Sequence, residues 1–126
     1  MILIFGGAYQ GKLKYALEKY NLCVNDIYRC IEDDTAVPGG KKIIYEIDKW
    51  ILALIKTDMY TEKVLQQFIE LNKDAVVICN DISGGVVPMD PVLRKWREAT
   101  GRAMADFSKT SDEVVRLFCG IPSRIK

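Results

Sequence analysis

Apolar residues follow two spacings along this chain, and their alternation outlines a fold. Met1 to Phe5 and Ala75 to Cys79 are short, unbroken apolar runs, the pattern of strands buried on both faces. Lys42 to Glu46 and Asp112 to Cys119 read as further strands, and Ile27 to Ile31 as a short one inside an irregular connection from Asn21 to Gly40. Between these runs the apolar residues recur at helical spacing. Leu13, Ala16, Leu17 and Tyr20 predict a helix from Lys12 to about Tyr20, and Trp50, Ile51, Leu54 and Ile55 predict one over Asp48 to Lys56. A third is predicted over Thr61 to Leu71, with Thr61 as N-cap and Val64, Leu65, Phe68, Ile69 and Leu71 inward. A fourth opens at Pro91 and carries Val92, Leu93, Trp96, Ala99, Ala103, Met104 and Phe107 to about Ser108. The basic tail Ser123 to Lys126 reads as a frayed end. Strands alternating with helices predict an α/β fold of three layers around a mostly parallel sheet, and a length of 126 residues favours one domain over 1–126.

The junction of the first strand and first helix carries candidate chemistry. Gly6-Gly7-Ala8-Tyr9-Gln10-Gly11-Lys12 satisfies G-x-x-x-x-G-K in the strand-loop-helix context that the motif requires. Glycines let successive N–H groups turn inward, the helix N-terminus adds partial positive charge, and Lys12 can reach terminal phosphate oxygens. The pattern therefore predicts a P-loop NTPase-like domain holding ATP or GTP through Gly6 to Lys12. The plainer alternative is a strand-to-helix turn with a surface lysine. The next position, where Ser or Thr would coordinate magnesium, is Leu13, which cannot ligate a metal; Mg2+ remains an expected companion of the nucleotide but without its hydroxyl ligand. Its loss endangers phosphoryl transfer more than binding. Candidate supporting acids at strand ends are Glu46, Asp48 and Asp81, each of which can equally be a solvated loop acid or a cap, Asp48 in particular as N-cap of the following helix. Asp81, beside a glycine-containing loop, is the preferred site acid, because ligands of open α/β sheets gather at the carboxyl ends of strands.

Composition narrows the function classes. A net charge of +1, from 18 basic and 17 acidic side chains, gives no global field that would recruit nucleic acid or an anionic membrane. No run reaches the ~18 apolar residues of a membrane span, and the glycine pair after Phe5, with no charged leader, argues against a signal peptide. Cys23, Cys30, Cys79 and Cys119 lack paired metal spacing and read as buried thiols in a reducing, cytoplasmic setting. The chain contains no histidine, which removes the commonest acid/base group and metal ligand near neutral pH; no dedicated protein metal site is predicted. Trp50 and Trp96 read as core residues rather than base-stacking ones. The basic group Arg94, Lys95, Arg97 and Arg102 reads as a solvated helix face or a phosphate contact, Arg102 being the candidate to follow.

The C-terminal third carries a resemblance. Asn80-Asp81-Ile82-Ser83-Gly84-Gly85-Val86-Val87-Pro88, then Arg94, Trp96-Arg97, Gly101-Arg102, Ala105, Ser111-Asp112-Glu113-Val114 and Gly120-Ile121-Pro122, resemble the bifunctional adenosylcobinamide kinase/adenosylcobinamide-phosphate guanylyltransferase family of cobalamin biosynthesis. Asp81 stands where that family has a glutamate. The loop is similar to the family's glycine-glycine-alanine-x-serine-glycine-lysine-serine, keeping Gly6, Gly7, Ala8, Gly11 and Lys12 while Gln10 and Leu13 replace the serines. Ile43 to Ile55 resembles its second-acid strand and following helix, with the acid position falling on Tyr45 and Glu46 next to it. The resemblance implies a nucleotide-dependent kinase acting on the cobinamide hydroxyl, with Lys12 and Asp81 catalytic, and a homo-oligomer. The family's guanylylated histidine has no counterpart, so guanylyl transfer by that route is excluded by composition. A different class of function, a non-catalytic nucleotide-sensing or scaffold subunit acting through assembly, fits the same residues.

Overall fold

The computed structural model describes residues 1–82 and 88–126. Its six strands are β1 (Ile2–Gly6), β2 (Ile27–Arg29), β3 (Ile43–Tyr45), β4 (Val76–Asn80), β5 (Glu113–Phe118) and β6 (Ile121–Arg124), and its four α-helices are α1 (Lys12–Lys19), α2 (Ile47–Lys56), α3 (Glu62–Leu71) and α4 (Pro91–Thr110). The strands form one sheet in the order β2-β3-β4-β1-β5-β6. All neighbours are parallel except β5 and β6, which pair antiparallel.

Alternation along the strands divides the core into two layers, since successive residues point to opposite faces. Leu3, Ile44, Val77, Cys79 and Val114 pack against α2, α3 and α4, whereas Ile4, Ile43, Val76, Ile78, Val115 and Leu117 pack against α1. This is the predicted three-layer α/β/α architecture. On the thicker side Trp50, Phe68 and Phe107 form a chain of tilted rings with centroids 5.3 and 5.4 Å apart, joining α2, α3 and α4. Such pairs contribute about 0.5–1.5 kcal/mol each beyond the area they bury. Trp50 is fully buried and its indole N–H donates to the Thr35 carbonyl, which agrees with its reading as a core residue.

Three expectations are corrected. The tail is not frayed: Cys119 and Gly120, both at positive φ, make a two-residue turn, and Ser123 and Arg124 then pair with Arg116 and Val115. All four β6 residues are exposed, so no alternation of burial marked the strand in the sequence, and Pro122 is tolerated because β6 is an edge. Cys119 is consequently an exposed turn residue rather than a buried thiol, as is Cys23 in its own turn, while Cys30 and Cys79 are buried. On α3 the inward face ends at Ile69. Leu71 is exposed, and Asn72 takes the buried position beyond it, its amide donating to the carbonyls of Pro38 and Phe68.

Candidate functional site

The strand order places the ends of β3, β4, β1 and β5 side by side, so the residues that leave these strands start from one edge of the sheet. The glycine loop rises from β1 at its centre. Gly6 pairs with Leu117 of β5, and a Cβ on Gly6 would lie 2.4 Å from the Leu117 carbonyl oxygen, so only glycine lets the two strands approach. Gly11, the N-cap of α1, has φ +84°, a conformation that favours glycine. It offers no side-chain cap, and the first turn of α1 contains no acid. By contrast, Thr61 caps α3 and Asp90 caps α4 through side-chain oxygens. The opening amides of α1 are thus left without a side-chain acceptor, and the helix dipole favours an anion there. Gly7 and Gly11 would admit an approaching group closely, because a Cβ on Gly7 would meet only the Gln10 side chain and one on Gly11 nothing within 4 Å. Ala8 and Tyr9 at the tip are exposed, Tyr9 with φ 60°.

Lys12 is 5 % exposed, and its ammonium donates to the Gly7 carbonyl at 2.6 Å, closing the loop on itself. Burial lowers its pKa, an effect opposed by the nearby Asp48 carboxylate. The lysine is therefore an internal member of the loop, and the plain reading of a surface lysine does not hold.

Asp48 is the residue whose role the sequence concealed. It is not the N-cap of α2: that position belongs to Glu46, in the left-handed region at φ 59°, and Asp48 lies one residue inside the helix, 3 % exposed. Its Oδ1 accepts the Asn80 backbone N–H at 3.1 Å and its Oδ2 the Asn80 side-chain amide at 3.3 Å. Burial raises the Asp48 pKa, while these two bonds oppose the rise. The backbone carbonyl of Asp48 accepts the Trp96 indole N–H at 2.7 Å, so one residue ties α2, β4 and α4 together. Trp96 is a packing residue with a polar tether, as preferred over base stacking. The only available signal was Asn80 at the end of an apolar run, and its partner became identifiable once β3 and β4 lay near each other.

The remaining candidates divide. Asp81 is brought to the loop, its backbone N–H donating to the Gly6 carbonyl at 2.7 Å. Glu46 lies at the end of β3, but its carboxylate is engaged by Arg29 at 3.0 Å and Lys49 at 2.9 Å. Gln10 reaches the other way, its side-chain oxygen accepting the Cys119 backbone N–H at the β5–β6 turn. Leu13 packs into the α1-side core. Arg102 is not brought to the loop: it is exposed on α4, near Tyr60 beyond the far end of α2, about 9 Å along the helix from Trp96. Of the motif recognised after β4, Ser83 to Val87 lie outside the described residues.

The loop offers donors to an anion, and the position of the usual magnesium hydroxyl is taken by Leu13. An uncapped helix N-terminus, two unhindered glycines and a buried lysine lie together in this loop. At the magnesium site Leu13, in place of a hydroxyl, packs into the core, and Glu46 is paired with two cations, while Asp48 is anchored by Asn80.

Among the described residues no helix is long and apolar enough to cross a membrane. No curated protein matches the chain. The family model of cobinamide kinase / cobinamide phosphate guanyltransferase matches residues 41–125, a span running from just before β3 to the end of β6. It takes in Asp48, Asn80, Trp96 and the β5–β6 turn, while the glycine loop stands before it. With the greater part of its length matched, and with the α/β architecture described above, the chain belongs to the cobinamide kinase / cobinamide phosphate guanyltransferase family, which points to a role in cobalamin biosynthesis.

Proposed function

We propose that the chain binds the triphosphate of ATP or GTP in the Gly6 to Lys12 loop, and that its kinase activity toward the cobinamide hydroxyl is impaired. The observation that carries this reading is the Lys12 ammonium held inside a glycine loop, at a helix start that no side chain caps. An incoming phosphate oxygen replaces the Gly7 carbonyl as the partner of Lys12 and collects the opening N–H groups of α1. Lys12 then stabilises charge on the transferring phosphoryl group, and Asp81, anchored beside Gly6, orients the acceptor hydroxyl. Magnesium would supply further neutralisation of the phosphates. Since Leu13 packs into the core and Glu46 is paired with two cations, the hydroxyl ligand for magnesium is missing and turnover suffers more than binding. Guanylyl transfer through histidine is absent for want of the residue.

A second reading, a nucleotide-sensing or scaffold subunit without turnover, is favoured by the same packing of Leu13 into the core. Calorimetric titration with ATP and GTP, with and without magnesium, separates the two when paired with a phosphorylation assay on adenosylcobinamide. Lys12→Met is expected to weaken nucleotide binding roughly 10- to 100-fold, the value of a charge-assisted hydrogen bond. Its melting temperature should be kept or raised, since burial disfavours the ammonium. Leu13→Ser should phosphorylate faster than the natural chain. Equal rates contradict the impairment, metal-independent binding without turnover selects the scaffold, and a Lys12→Met variant that binds normally removes the loop from the reading.

A further inference from the structure

We propose that the tip of the β5–β6 hairpin, Phe118 to Ile121, is the platform against which the base of the bound nucleotide lies. This rests on the triphosphate occupying the Gly6 to Lys12 loop, and it assigns the opposite end of the same ligand. The Gly6–Leu117 pairing places Phe118 and the turn immediately beyond the point where the glycine loop leaves the sheet. The Gln10 side chain bonds the Cys119 backbone N–H, so the loop and the turn are in direct contact. At that tip two large apolar side chains stand in solvent, Phe118 at 63 % and Ile121 at 68 % exposure. The Arg116 guanidinium lies 5.8 Å from the Phe118 ring centroid.

The two sides of the loop offer different chemistry. On the β3–β4 side of the loop stand Glu46, Asp48 and Asp81, a place suited to an acceptor hydroxyl and hostile to a further anionic group. On the β5–β6 side Arg116 is the cation close to the tip, since Arg124 pairs with Glu113 at 3.6 Å and Lys126 bonds the end of α4, both at the other end of the hairpin. A purine is flat, uncharged and apolar on its faces, and an exposed aromatic ring next to a phosphate site is the surface that recognises it by stacking, independently of its edge groups. Both ATP and GTP are therefore accommodated, with an Arg beside the ring adding a cation–π contribution.

The test compares ATP, GTP and inorganic tripolyphosphate, which has no base, on the natural chain, Phe118→Ala, Phe118→Tyr and Tyr9→Ala. Phe118→Ala is expected to weaken both nucleotides about ten-fold, within the range of base–aromatic stacking, and to leave tripolyphosphate unchanged; Phe118→Tyr should restore nucleotide affinity. Tyr9, the other exposed aromatic, belongs to the binding loop itself, so any loss in Tyr9→Ala should fall on tripolyphosphate and nucleotides alike. Phe118→Ala with unaltered nucleotide affinity, an equal loss for tripolyphosphate, or a loss confined to Tyr9→Ala overturns the platform. A chain that binds tripolyphosphate through Lys12 but ignores Phe118 overturns this inference alone. A chain that binds neither nucleotide nor tripolyphosphate overturns the loop reading and this one together.

Discussion

On the β3–β4 side of the glycine loop, polar side chains are buried and tied together: Asp48 holds Asn80 by two bonds and Trp96 by a third, and Glu46 is clamped between Arg29 and Lys49. On the β5–β6 side the residues are apolar, exposed and held by backbone geometry, a tight turn with one side-chain tether from Gln10. The contrast follows from position in the sheet. β4 is flanked by strands and covered by helices, so a carboxylate there must find partners or lose a large desolvation free energy. β6 is an edge without a covering helix, where apolar side chains remain in water unless something binds to them. The first side is built to keep charges fixed in place, and the second presents surface.

The join between the two sides is the point most easily broken. Gly6→Ala would drive a Cβ to 2.4 Å from the Leu117 carbonyl oxygen, so β5 must move away from β1. A loss of at least about 3 kcal/mol in chemical denaturation is expected, larger than any single change on either side. A loss under about 1 kcal/mol would show that the hairpin side is free to shift and that the strand contact is not the constraint.

A smaller change probes the buried side alone. Because burial raises the Asp48 pKa above its ordinary 3.8, the protonated form contributes stability at acid pH that is lost as pH rises through the folded-state value. Asp48→Asn lacks that titration. Near pH 4 the amide and the protonated carboxyl are close equivalents, so the variant should lie within about 1 kcal/mol of the natural chain, and the natural chain should lose stability relative to it as pH rises. Urea unfolding across that range checks it. A deficit of the variant that grows with pH would mean that the Asn80 bonds outweigh burial and that the carboxylate is stabilised in place.

The smallest effect belongs to the exposed side. Cys119, at φ 52°, occupies a left-handed position that asparagine adopts more readily, in a two-residue turn closed by Gly120. Cys119→Asn should stabilise by about 0.5–1 kcal/mol, read as a higher melting temperature. A destabilised variant would show that the thiol itself packs against something and that the tip is less open than its exposure indicates.

Much of the architecture was legible in the residues. Met1 to Phe5 and Ala75 to Cys79 read as strands covered on both faces, and the spacings around Trp50, Phe68 and Phe107 marked which faces of three helices met them, because periodicity records burial directly. The loop was legible too, since glycine and lysine at fixed intervals answer to backbone geometry within a few residues. What tertiary structure alone decided were relations between residues distant in the chain. Asp48 and Asn80 are bonded because β3 and β4 are adjacent, Arg102 is remote because α4 carries it past the loop, and β6 exists because a turn folds an unpatterned tail back along β5. Local pattern encodes a segment's burial and backbone conformation; the partner of a buried charge depends on strand order, which no single segment contains.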